Sequence, residues 1–374
     1  MSTRDVRPAS SASPAVRDAR LLAAVDVGTV STRLIVAEVT PAGQVFPLER
    51  QAIITNLGSG VDATGLLDPD AIERTCATVA GYVARLAGHA AAGRPVERVT
   101  TTLTSAARDA ANADELLGRL NAMGLEPQVI PGEVEARLSL LGVTSDFPGQ
   151  NVLVADIGGG STELIEGRKT PVGDAEGDAA PGTLAIGRGV SYDVGCRRVT
   201  ERFFGGGDIP SLEAIAAARA FVRATLAPFF GVGAAGGEIF GAASLAPSPA
   251  PVTLACVGGT ATSLVAVANR LVPYDSAFVH LHRTTRAEVS ELVARLLAMG
   301  PQERRDLPGL QPKRADVIAA GALILDELMG LGGFDAYVAS ESDSLFGLLV
   351  CMRCALDGAP SPIGWLPRTS GSAS

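Results

Sequence analysis

One ten-residue pattern occurs twice in this chain, and it limits the possible folds more than any other feature. D-x-G-x-x-S-T-x-L-I begins at Asp26 and again at Asp156, an offset of 130 residues (156 − 26). Gly28 falls on Gly158, Ser31 on Ser161, Thr32 on Thr162, Leu34 on Leu164 and Ile35 on Ile165. Each copy has an apolar run ending in an acid, a glycine turn, and a second apolar run, which reads as a hairpin. A repeat of this length implies two related domains, each opening with the same hairpin and facing its twin across a cleft. In the second copy three successive glycines, Gly158 to Gly160, leave backbone N–H groups uncovered. With Ser161 and Thr162 those amides can cradle an anion such as phosphate. The acids Asp156 and Glu163 would repel a bare phosphate, but they suit a divalent cation held between carboxylate and phosphate oxygens. The plain alternative is an ordinary hairpin whose glycines only make the turn.

Composition agrees with a two-domain globular chain. The sequence has 374 residues, too many for one typical domain, and is 47% hydrophobic but only 4% aromatic, so its cores must be aliphatic. A formal net charge of −9, with no basic stripe interleaved with aromatics, argues against nucleic-acid binding. Only Lys169 and Lys313 are lysines, so contacts to an anion fall to arginine and backbone amides. Cys351 and Cys354 form a CxxC within an apolar helical run and read as packing residues. No run of 18 apolar residues is present, and residues 1–18 resemble a disordered tail and not a signal peptide, so a cytoplasmic protein with no membrane partner is expected.

Along the chain, Val45–Leu57 is expected as a third strand, and Asp68-Pro69 as the cap of a helix to about Ala87. Ser105 is expected to cap a helix that carries Arg108 in its first turns, beside any anion at that end. Glu133–Val143 is expected to be helical, with Glu135 beside its packing face. Arg168–Gly182 and Gly231–Pro251 read as loops, Thr183–Arg188 as a strand, Val190–Phe204 as a helix, and Ser211 as the cap of a helix to about Phe230. Gly258-Gly259-Thr260 is a third glycine turn opening a helix, Thr285-Arg286-Ala287-Glu288 a capping box, and Leu345–Leu356 the last helix.

The segments D-V-G-T-V-S-T-R, T-S-A-A-R, G-E-V-E-A-R-L, D-I-G-G-G-S-T-E-L and G-G-T, in that order, resemble the exopolyphosphatase/guanosine pentaphosphate phosphohydrolase (Ppx/GppA) family. The resemblance runs from about Leu21 to about Leu356 and is to the short, actinobacterial-type members of that family, within the actin/Hsp70/sugar-kinase superfamily. It implies an α/β fold of two ribonuclease-H-like domains facing an interdomain cleft. Residues 19–131 plus about 345–357 would form the first domain and 132–344 the second, with disordered tails at 1–18 and 358–374. It implies a general base at Glu135, with Glu133 the second choice, and a phosphate-clamping arginine at Arg108. Mg²⁺, or another hard divalent cation, would be held by Asp156 and Glu163 with Asp26 opposite. Phosphate would lie on Gly28, Thr29, Ser31, Gly158, Gly159, Gly160, Ser161, Gly258, Gly259 and Thr260. The activity implied is removal of the terminal phosphate of inorganic polyphosphate by water, with a homodimer expected from the family alone. The alternatives are hydrolysis of guanosine pentaphosphate (pppGpp), a weakly catalytic phosphate-sensing protein, and a sugar or carboxylate kinase on the same fold. The chain departs from the family pattern at Val30, Asn56, Pro131 and Ser342, departures that could shift substrate preference or slow turnover.

Overall fold

A computed structural model describes residues 18–171, 182–205, 209–232, 240 and 252–371. The first sheet is built from β1 (Arg20–Val27), β2 (Ser31–Val39), β3 (Val45–Ile54), β4 (Arg98–Leu103) and β5 (Pro127–Val129). The second contains β6 (Val152–Ile157), β7 (Thr162–Lys169), β8 (Leu184–Tyr192), β9 (Thr253–Val257), β10 (Arg283–Thr285) and β11 (Ala336–Ala339). In sheet order, β5-β4-β1-β2-β3 of the first matches β11-β9-β6-β7-β8 of the second. Each is a three-strand antiparallel meander extended by parallel strands, so the ten-residue repeat is the visible trace of a duplicated topology. This is the expected two-domain α/β architecture.

Helices cover the sheets because their apolar faces need partners. The helix Pro69–Ala91 starts where Asp68 accepts from the Ala71 amide, and it buries Ile72, Cys76, Val79 and Leu86 against the first sheet. Ser211 caps Leu212–Leu226, and Thr285 with Glu288 forms the reciprocal capping box of Arg286–Ala298. The helix Gly132–Val143 joins the two halves. Leu138 and Leu141 pack with the last helix, Ser344–Asp357, over β1 and β2, while Ala136, Leu140 and Val143 pack on β6 and β7. Its first turn therefore opens at the boundary of the two sheets. At the crossing of these two helices a Cβ on Gly347 would stand 2.2 Å from the Leu138 carbonyl oxygen, so glycine sets their separation.

Several expectations need correction. Residues 358–371 are not a disordered tail. Ile363 is buried beside the last helix, its carbonyl accepts from Arg137, and Ser370–Gly371 adds a short antiparallel strand to β4. The segment expected to be helical from Val190 is strand through Tyr192, because Val190 and Tyr192 alternate inward on β8. Helix begins only at Cys196. Thr104, not Ser105, occupies the N-cap position before Arg108. Residues 1–17 and 372–374, and most of the two expected loops, lie outside the described residues. No helix among the described residues is long and apolar enough to cross a membrane.

Candidate active site

The two hairpin turns have the same internal geometry. The Gly28 amide donates to the Ser31 carbonyl and the Gly158 amide to the Ser161 carbonyl, each at 3.0 Å. They also touch: a Cβ on Gly159 would lie 2.7 Å from both Thr29 Cβ and Val30 Cγ2, and one on Gly160 would lie 2.3 Å from Ser105 Oγ. The turns thus interlock at the base of a cleft of about 400 Å³. Asp26, Gly28, Thr29 and Ser31 line it from one sheet, and Asp156, Gly158, Gly159 and Ser161 from the other. Gly258 and Gly259 form part of the same wall, and Glu135 reaches it from the first turn of its helix. Gly258 has φ +80°, and a Cβ there would stand 2.8 Å from Asp156 Oδ1, so only glycine leaves that oxygen open.

Strand register makes the repeat chemically asymmetric. Asp26 pairs across its hairpin with Arg33, whereas Asp156 pairs with Glu163. Arg33 neutralises the first acid through Nε and Nη2, 3.0 and 2.7 Å from Asp26 Oδ2, and its Nη1 donates to Asp343 at 2.7 Å. Among the described residues Asp156 has no such partner. Its Oδ2 accepts from Ser139 at 2.9 Å, and burial lifts its carboxyl above the ordinary range, opposed by Arg33. Glu163 is fully buried, accepts from Ser191 at 2.7 Å, and is pushed well up by burial and by its neighbours Glu135 and Asp156. Glu135 is pushed up to about 7 by burial, with the Arg108 guanidinium 2.8 Å away pulling the other way. Of this pair, the more deeply buried Glu163 holds its proton more strongly, leaving Glu135 as the carboxylate that ionises at the cleft.

Four of the expected site residues do not line the cleft. Arg108 donates from Nη1 to Glu135 and to the Ile130 carbonyl, and so orients the carboxylate. Glu163 is buried against Ser191, Gly160 faces Ser105, and Thr260 donates to the Ile157 carbonyl while packing on Gly321. Glu133 pairs with Arg137 outside the cleft wall and drops out as the second-choice base. The departures have structural partners. Val30 is buried in the second domain's core, Asn56 accepts from Arg197 across the domain boundary, Pro131 supplies the carbonyl for the Glu135 amide, and Ser342 donates to Asp146.

Sequence reasoning missed Arg33, Asp343, Arg50, Glu341 and Arg314, all of which line the cleft. Arg33 carried a signal, since it stands where the second repeat has Glu163. Arg314 is buried with no carboxylate within ion-pair distance among the described residues, and burial lowers its pKa. In the sequence it is one more basic residue in P-K-R. A hard cation is compatible with this donor set. Among the described residues no three acidic, histidine or cysteine groups gather into a cage, but Mg²⁺ commonly takes one or two carboxylates and completes its shell with water and phosphate oxygens. Asp156 Oδ1, kept open by Gly258, is the oxygen available for that role.

The Ppx/GppA phosphatase family model matches residues 35–331. Exopolyphosphatase 2 of Mycobacterium tuberculosis is 34% identical over 347 residues, spanning 88% of this chain and 98% of that protein. The crystal structure of the Aquifex aeolicus family member aligns with a TM-score of 0.66 at 28% identity, covering 89% of this chain and 97% of that one. An exopolyphosphatase-like protein aligns with a TM-score of 0.74 at 30% identity, covering 89% and 98%. The chain belongs to the Ppx/GppA phosphatase family.

Proposed function

We propose that this protein is an exopolyphosphatase that removes the terminal phosphate of inorganic polyphosphate by attack of water, with Glu135 as general base. The observation that carries this reading is the Glu135 carboxyl, pushed up by burial to about 7, on the wall of a cleft whose base is two interlocked phosphate-type turns. A base near neutrality can both accept a proton and be ionised at the working pH. The amides and hydroxyls around Gly28, Ser31, Gly158, Gly159 and Ser161 suit the oxygens of the terminal phosphate. Arg108 acts through Glu135 as a positioning residue, fixing the carboxylate and limiting the rise in its pKa. Mg²⁺ would be held by Asp156, with Asp26 on the facing turn, and would supply charge neutralisation on the phosphate. Because phosphoryl transfer depends mostly on positioning and charge, this set of groups is sufficient without a covalent intermediate.

Phosphate release from long polyphosphate, short polyphosphate and guanosine pentaphosphate, each with Mg²⁺, tests the reading. Release from polyphosphate supports it. Release confined to guanosine pentaphosphate would reassign the substrate, and no release from any of them would sink the hydrolase reading.

A further inference from the structure

A chain of alternating charges leads from the base of the cleft towards solvent. Asp26 pairs with Arg33, Arg33 with Asp343, Asp343 with Arg50 at 3.6 Å, and Arg50 with Glu341 at 2.8 Å. Tyr274 closes the series by donating its hydroxyl to Glu341. Of the two arginines, Arg50 is the more exposed, and Tyr274 at the far end is exposed, so the series ends near solvent. Arg50 lies on β3 of the first sheet, over the ring of Phe346, and Glu341 follows β11 of the second. Their ion pair therefore crosses the cleft from one domain to the other.

We infer that Arg50 is a latent phosphate-binding arginine and that Glu341 is the intramolecular carboxylate competing for it. The inference rests on the polyphosphate reading of this cleft. A linear phosphoanhydride chain held by its terminal phosphate must send its later phosphates along the walls and out to solvent. Arg50 is the guanidinium on that outward path, and a phosphate can take its donors in place of Glu341. The displaced Glu341 keeps its Tyr274 hydrogen bond, but it then faces the polyanion as a like charge. Part of the substrate's binding energy is therefore used to break the Arg50–Glu341 pair. The pair sets a threshold that discriminates between chains that reach Arg50 and anions too short to do so.

The competing explanation is that the pair is only an interdomain tie, and the two accounts predict opposite signs. A tie is lost equally in Glu341→Gln and Arg50→Ala, so both would weaken binding. Under competition, Glu341→Gln frees Arg50 and lowers KM for long polyphosphate by about three- to tenfold, while Arg50→Ala raises it by a similar factor. The double variant should lose most of that gain and lie close to Arg50→Ala, because only the relief of like-charge repulsion is left once the arginine is gone. In both variants the change should sit in KM, with triphosphate affected less than long chains. Equilibrium binding of labelled long polyphosphate in a Glu135→Gln background reads the same signs without turnover, so the outcome does not depend on the wild type being active. Glu341→Ser is a second variant should Glu341→Gln fold poorly. Binding that is unchanged or weakened on removing the Glu341 carboxylate, or a gain from Glu341→Gln as large in the Arg50→Ala background as in the wild type, would overturn the inference.

Discussion

Glu135 is held between two opposing influences, and its chemistry follows from their balance. Burial lifts its carboxyl to about 7, while Arg108 at 2.8 Å keeps it from rising further. A base must be ionised to act, so kcat/KM should fall about tenfold per pH unit below that pKa and level off above it. In Arg108→Ala the cation that favours the ionised form is gone, so the acid limb should move to higher pH. A profile of kcat/KM from pH 5.5 to 9 checks both, and a limb that stayed put or moved down would refute the Arg108 assignment. Glu135→Gln keeps the shape of the side chain but cannot take a proton, so kcat should drop by a factor of about 10² or more with polyphosphate binding largely kept. A near-wild-type rate would remove Glu135 as the base.

At the scale of elements, Glu135 depends on where its helix starts, and that depends on a close helix crossing. The Gly347 Cβ position is only 2.2 Å from the Leu138 carbonyl, a backbone atom that cannot swing aside. Gly347→Ala should therefore destabilise the protein by about 1–3 kcal/mol through overpacking. By pushing the Gly132–Val143 helix it should also lower kcat. Gly81→Ala is the control: it lies on the exposed face of Pro69–Ala91 with nothing within 4 Å of its Cβ position, and should be neutral or stabilising by up to about 1 kcal/mol. Thermal melts of the two variants side by side would decide, and equal losses would refute the crossing argument. The same distinction explains what could be read in advance. Hairpin turns and the caps at Asp68, Ser211 and Thr285 are local chemistry within a few residues, so the sequence displayed them. Arg50 and Glu341 are 291 positions apart, and only assembly of two sheets brings them together. Gly160 and Thr260 belong to recognisable glycine turns, yet which side of a turn meets the cleft is decided by what packs behind it. Ser105 and Gly321 are those neighbours here.

At the scale of the whole molecule, the cleft has its shape only while the two domains keep their angle, and Arg198 is well placed to hold it. Arg198 comes from the short helical stretch after β8 and donates to the Gly160 carbonyl at 2.9 Å and to Asp109 at 2.6 Å. It also pairs with Asp62 of the first domain, which Arg202 engages at 2.7 Å as well. The Arg198 side chain is only 11% exposed, so these contacts are screened less than surface pairs, and removing it leaves Asp62 and Asp109 facing the boundary with less compensation. Arg198→Ala should therefore raise KM for polyphosphate several-fold and increase the sensitivity of KM to salt, while the melting temperature falls only modestly, because each domain keeps its own core. The pH dependence has a definite sign. Arg202 and Arg198 hold the Asp62 carboxyl below its ordinary range, so its contribution is complete above about pH 4 and is lost only as pH falls through the lowered value. The tie is then intact across the range in which Glu135 titrates, so its loss does not contribute to the acid limb of the activity profile. Small-angle scattering of wild type and Arg198→Ala at pH 7 provides the independent readout, with a larger radius of gyration expected for the variant. An unchanged radius together with an unchanged KM would show that the angle is set by the packing of the Gly132–Val143 helix alone.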